Sequence, residues 1–100
     1  MNNVLFETMV SYDKSKLDTL LEITEDKLLF SKKKGLFNKK YKLIDELLIE
    51  DIKVVNSSVK IKQKKNKVII YTRNSILEFR CKNILEATKI IEKIKESPLK

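Results

Sequence analysis

The sequence predicts a mostly β domain. About seven or eight short strands should form a bent antiparallel sheet or open barrel, closed by one amphipathic α-helix at the C-terminus. Three observations carry this expectation. Apolar residues recur at period two over most of the chain, with short polar breaks suited to hairpins. The period becomes helical over NILEATKIIEKIKES, and Pro98 follows to stop the helix. The 100 residues contain no internal repeat and no Pro/Gly-rich linker, so residues 1–100 read as one domain.

Each element has a local reason. VLFETMVSY (Val4–Tyr12) reads as the first strand, followed by the polar loop DKSK. TLLEIT (Thr19–Thr24) and KLLFSK (Lys27–Lys32) flank Glu25 and Asp26, the spacing of a tight hairpin. KYKLI (Lys40–Ile44) returns after a loop holding Gly35, the single glycine of the chain, whose backbone freedom suits a turn. The apolar elbow DELLIE then leads into DIKVV (Asp51–Val55). VKIKQ (Val59–Gln63) puts Val59 and Ile61 on one face and Lys60, Lys62 and Lys64 on the other. After the polar turn KKN, KVIIYTR (Lys67–Arg73) is β-branched and aromatic, which favours a strand. ILEFRCK (Ile76–Lys82) alternates Leu77, Phe79 and Cys81 against Glu78, Arg80 and Lys82. Cys81 therefore reads as a small core residue, not a reactive thiol.

The helix should run over about residues 83–96. Asn83 is placed as its N-cap, and Glu86 three residues on completes a capping-box pattern. Ile84, Ala87, Ile91 and Ile94 fall on one expected face, which must bury against the mouth of the sheet. Lys93 and Lys95 complement the helix dipole in the last turns.

Composition bounds the function class. With 42% hydrophobic and 36% charged residues, the chain reads as globular, and no apolar run approaches the ~20 residues a spanning helix needs. The N-terminus carries Glu7 within its apolar part and lacks a basic leader region, so no signal peptide is expected. One cysteine fits a reducing compartment. The expected location is the cytoplasm or the inner face of a membrane. Histidine is absent, which removes the commonest general base and zinc ligand near neutral pH. A lone cysteine has no histidine to activate it, and a single glycine cannot build a phosphate-cradling loop. The carboxylate pairs Asp45-Glu46 and Glu50-Asp51 sit at a strand elbow, where charges face solvent. The chain is thus expected not to be an enzyme and to need neither cofactor nor metal.

Charge is the informative signal. The formal net charge is +8, yet residues 1–30 hold three lysines against six acids, and residues 31–100 hold nineteen basic residues against eight acids. Two blocks contain no acid. The first is Lys32, Lys33, Lys34, Lys39, Lys40 and Lys42, around FSKKKGLFNKKYKL; the second is Lys60, Lys62, Lys64, Lys65 and Lys67. Together with Phe37 as an apolar anchor beside Leu36, these lysines are the expected binding surface. Lysines at hairpin tips also serve solubility, so the blocks alone name no partner.

Three stretches resemble the pleckstrin-homology (PH)-like superfold, in its GRAM-type or small prokaryotic forms. LLEITEDKLLFSKKKGLF is similar to the strand–turn–strand opening of that family. LLIEDIKVV resembles its elbow, with Asp51 and Ile52 in register and Leu48 where proline is common. FRCKNILEATKIIEKI looks like the last strand running into the closing helix. The resemblance covers roughly residues 19–95. It implies a non-catalytic module that binds phosphoinositides, anionic membranes, or peptides and partner proteins. Its phosphoinositide-binding members carry a basic pattern on the first two strands and their loop. Here that region is acidic, with only Lys14 and Lys16 beside Asp13 and Asp18 in the loop.

The expected partner is therefore an acidic protein or peptide surface, with apolar contacts holding what the field steers. Peripheral binding to anionic membrane is the alternative, with Leu36 and Phe37 inserting. Nucleic acid ranks last: Tyr41 and Tyr71 are the candidate stacking residues, and the only arginines are Arg73 and Arg80. Self-association through an exposed edge strand is a further expectation.

Overall fold

The computed structural model describes residues 4–12, 16–33 and 41–96. Within them the strands are β1 (Phe6–Tyr12), β2 (Thr19–Ile23), β3 (Lys27–Lys33), β4 (Tyr41–Leu48), β5 (Val54–Val55), β6 (Ser58–Val59), β7 (Ile61–Lys64), β8 (Lys67–Tyr71) and β9 (Ile76–Cys81). A single α-helix, α1 (Ile84–Lys95), follows. Seven strands form one antiparallel sheet in the order β4-β3-β2-β1-β9-β8-β7, and β5 and β6 make a separate two-stranded ribbon. The sheet has two edges, β4 and β7, so it is not a closed barrel. It consists of two wings, β1–β4 and β7–β9, joined where β1 pairs with β9.

The alternation seen in the sequence decides which side of each strand is buried. Thr8 and Val10 of β1, Thr19, Leu21 and Ile23 of β2, and Leu28 and Phe30 of β3 point inward. Val68 and Ile70 of β8 and Phe79 and Cys81 of β9 do the same on the other wing. The sheet must curl to bring these side chains together. Phe30 and Phe79 lie three strands apart, which in a flat sheet would separate them by ~14 Å. Their ring centroids are 5.6 Å apart in an edge-on contact, and Tyr12 stacks on Phe30 at 4.7 Å. Each such ring removed from water stabilises the fold by ~1.5–3 kcal/mol.

Local chemistry fixes the turns. Thr24 closes the β2–β3 hairpin: its hydroxyl donates to an Asp26 carboxylate oxygen at 2.9 Å and accepts from the Lys27 amide at 3.2 Å. Asn56 and Ser57 both have positive φ, 52° and 66°, as a two-residue type I′ hairpin between β5 and β6 requires. Between β7 and β8 the turn is Lys65-Asn66, with Lys65 at φ 56°. The Asn66 side-chain amide donates to the Cys81 carbonyl at 2.7 Å, and the Cys81 amide returns a bond to the Asn66 carbonyl at 2.8 Å.

Two expected elements take a different form. DELLIE does not break the sheet: β4 continues to Leu48, and only Ile49–Asp51 turn, as a short 3-10 segment. The reason is a bulge. Phe30 faces Asp45 and Ser31 faces Leu43, leaving Ile44 as the extra residue and shifting the phase of the pattern. DIKVV is not a continuous strand. Ile52 forms a single bridge to Thr72, and only Val54 and Val55 pair, with β6.

Helix α1 begins where the sequence places it. The Asn83 side chain accepts from the Glu86 amide at 2.8 Å, satisfying a free helix donor. The buried face, however, is Ala87, Ile90 and Ile94, with Ile91 half-buried and Ile84 58% exposed. Ile84 stays outside because its turn is tied to the end of β7. The Gln63 side-chain amide donates to the Ile84 carbonyl at 3.4 Å and to the Thr88 hydroxyl at 3.2 Å. On the opposite wing, the Thr8 hydroxyl donates to Glu86 at 3.1 Å, so the helix bridges both halves of the sheet.

This phase is directly testable by chemical denaturation. Ile90→Ala should cost ~2–5 kcal/mol of stability, whereas Ile84→Ala should change it by less than ~0.5 kcal/mol. Equal losses at the two positions would contradict the helix orientation.

Candidate functional site

The outer face of the β7–β9 wing gathers the second lysine block. Ile61 and Gln63 share the inward side with Val68, Ile70, Leu77 and Phe79, so Lys62 and Lys64 point outward. Strand register then aligns residues that are distant in sequence. Lys64 faces Lys67, and Lys67 faces Arg80, giving a three-strand row of like charge. The next row is Lys62, Ile69 and Glu78. Beyond it Tyr71 faces Ile76, and the Tyr71 amide donates to the Lys60 carbonyl at 3.1 Å.

This face is not uniformly wet. The ammonium groups of Lys60 and Lys62 lie over the Tyr71 ring, 4.5 and 5.6 Å from its centroid. Such cation–π contacts are worth ~0.5–1 kcal/mol at exposed sites and hold the lysine stems against the sheet. Ile76, 63% exposed, adds an apolar edge to the same row. One acid stands among these residues: Glu78, which pairs with Lys67 at 3.5 Å. The exposed pair adds at most ~1 kcal/mol and leaves the face strongly positive.

The first lysine block divides. Lys34, Phe37, Lys39 and Lys40, with Leu36 and Gly35, lie outside the described residues. Lys32 and Lys42 face each other near one end of β3 and β4, and Lys33 pairs with Tyr41. β3 and β4 lie at one end of the strand order and β7 and β8 at the other, so no strand pairing aligns the described part of this block with the second. Lys65 occupies the β7–β8 turn itself. Arg80, Ile69 and Ile76 were not among the expected site residues. Alternation in ILEFRCK places Arg80 on the polar face, but only the β8–β9 register sets it beside Lys67.

A concavity lies where the wings fail to close. A cleft of about 360 Å³ opens between β4 and the β8–β9 turn, lined by Asp45, Glu46, Asp51, Thr72, Arg73 and Ser75 among others. Its walls are held from within. The Tyr12 hydroxyl donates to the Asp45 carboxylate, and the Arg73 amide donates to the Asp51 carbonyl at 3.2 Å. The Thr72 hydroxyl organises the turn by accepting from the Ser75 amide at 2.9 Å. Among the described residues no three acidic or sulfur ligands gather as a metal-holding group. No described helix is long and apolar enough to cross a membrane.

Cys81 belongs to the core, only 2% exposed. Burial, and secondarily the Glu86 carboxylate, push its thiol up from 9.0 to about 12. No family model matches the chain, and no curated protein matches it. The functional reading therefore rests on the faces just described.

The Cys81 environment generates a testable outcome. A thiol reagent at pH 8 should leave the native protein unmodified and label it only on unfolding. Because the folded thiol holds its proton more tightly, its contribution to stability is complete below pH 9.0 and is lost as pH rises toward about 12. Fast labelling of the native state at pH 8 would contradict the buried assignment.

Proposed function

We propose that this chain is a non-catalytic binding module of PH-like type that docks an acidic protein surface on the outer face of β7–β9. The observation that carries this reading is the row Lys64–Lys67–Arg80, flanked by Lys60 and Lys62 around Tyr71. A bent antiparallel sheet with a helix packed across it after the last strand is the arrangement the PH-like resemblance implies, which supports that part of the reading.

Geometry favours a protein over a lipid headgroup or a nucleic acid. Side chains in one row are spaced by the inter-strand distance, ~5 Å, which matches carboxylates presented in a cross-strand row of another sheet. The neighbouring rows of the same face carry Ile69 and Ile76, which offer apolar area for a partner to cover while the charges steer approach. A single arginine in the row, and an aromatic ring already covered by two lysines, give little for stacking bases or forking phosphates.

Titration with a Glu-rich peptide, followed by amide NMR shifts, tests this. Shifts should concentrate on β7, β8 and β9, and Lys64→Glu/Arg80→Glu should weaken binding by about tenfold or more, a change of ~1.4 kcal/mol. Shifts on another face, or no loss on charge reversal, would sink the reading. Co-sedimentation with anionic vesicles that depends on the same two residues, without peptide binding, would replace the protein partner by a membrane.

A further inference from the structure

The charge pattern of the sheet's outer side continues past the basic wing and changes sign. On β1–β4, the residues that alternate with Thr8, Leu21 and Phe30 include Glu7, Glu22, Leu29 and Glu46. Register aligns these four in one row across four strands. Beside it, Met9 faces Leu20, and Leu43 at 48% exposure lies beyond Ser31 in the same row on the edge strand. This wing thus presents an acidic row with an apolar strip. The other wing presents Lys64, Lys67 and Arg80 with Ile69, Tyr71 and Ile76. Opposite sign occurs on both: among the described residues Lys27 lies near the glutamates and Lys33 follows in the same alternation at the far end of β3, while Glu78 stands among the lysines.

Both rows oppose the stability of an isolated molecule. Glu7 and Glu22 are directly opposite each other, as are Lys64 and Lys67, and Lys67 and Arg80. Like charges in cross-strand register repel. Among the described residues none of Glu7, Glu22 and Glu46 forms a salt bridge. The two rows would relieve one another, yet among the described residues no ion pair joins them within one molecule. Edge pairing is the weaker route to association. β7 is four residues long and lysine-bearing, and β4 carries the bulge at Ile44 beside Lys42, both devices that blunt strand addition.

We infer that the acidic surface docked by the basic wing is the outer β1–β4 face of a second copy of this chain, held head to tail. This rests on the reading of the basic wing as a protein-docking surface and names its partner. The contact is heterologous: each copy uses its acidic row on one neighbour and its basic row on another, so assembly proceeds to a ring or an open chain.

Sedimentation velocity of the full chain over a concentration series is the test. At low ionic strength, species larger than monomer should form with rising concentration and dissociate as salt screens the contact. Lys64→Glu/Lys67→Glu/Arg80→Glu and Glu7→Lys/Glu22→Lys/Glu46→Lys should each be monomeric alone, and their equimolar mixture should assemble again. Glu22→Gln is the milder variant, should either triple change fail to fold. Relief of repulsion with Glu7 should raise the Tm of the dilute monomer, while self-association weakens several-fold. Wild-type protein that stays monomeric at every concentration, a triple variant that assembles alone, or a mixture of folded variants that stays monomeric would each overturn the inference. A monomeric wild type that still binds the Glu-rich peptide through Lys64 and Arg80 would leave the docking face standing with a different protein as partner. Failure of both would remove the face as well.

Discussion

The structure depends on β1 serving two wings at once. Val10 faces Thr19 of β2 on one side and Cys81 of β9 on the other, so a single residue sits in both ladders. Every contact across the core follows from that joint: the Phe30–Phe79 edge contact, the stacking of Tyr12 on Phe30, and the helix that touches both wings. The register of β1 is strongly constrained for the same reason. A one-residue slip would turn Thr8 and Val10 outward and bring Glu7 and Met9 into the core. Burying the Glu7 carboxylate without a partner would cost several kcal/mol.

Once the inner face has taken the apolar residues, chain order decides what the outer face presents. The first meander supplies Glu7 and Glu22 from the acidic N-terminal third, and the second supplies Lys62, Lys64, Lys67 and Arg80. A charge imbalance along the sequence thereby becomes an acidic row on one wing and a basic row on the other, although Lys27, Lys32, Lys33 and Lys42 remain on the first wing. Mixing the signs within each wing would have stabilised the monomer through cross-strand pairs of ~0.2–1 kcal/mol. The segregated arrangement forgoes that gain, and on the proposed reading it is what makes each wing selective for a partner of opposite sign.

The strands that were legible in the sequence are those whose neighbours reinforce their own alternation. KVIIYTR and ILEFRCK pair in simple register, and the inward residues of ILEFRCK, Leu77, Phe79 and Cys81, are the expected ones. TLLEIT and KLLFSK are similar, with Thr24 and Asp26 closing the hairpin locally. Legibility fails where tertiary contacts reset the phase. The bulge at Ile44 hides that Leu47 faces Leu28 and is core, so DELLIE looks like an elbow when most of it is strand. The bridge from Ile52 to Thr72 interrupts DIKVV, which propensity alone would extend. In α1, several isoleucine faces overlap within one turn. The choice of Ile90 over Ile84 is made by Gln63, on a strand 21 residues before Ile84 in the chain. The site divides the same way. Lys62, Lys64 and Lys67 are visible as a hairpin, but Arg80 joins them only through a register that no local pattern encodes.

A site made of rows on a sheet differs physically from one made of a pocket. Its charges are fixed by backbone spacing and not by side-chain packing, so a partner must match a repeat of ~5 Å in more than one position to gain from it. Single mismatched charges gain little, because an isolated exposed pair is worth ~0–1 kcal/mol. Discrimination therefore lies in the number of aligned pairs and in the apolar strip beside them, here Ile69, Tyr71 and Ile76. Tyr71 connects the two contributions: its ring lies under Lys60 and Lys62 and holds them beside Ile76, so a partner that neutralises these lysines also comes to lie against that apolar edge. Steering and apolar cover then act at the same place, which is the condition for a reversible, salt-responsive contact that still has a defined orientation.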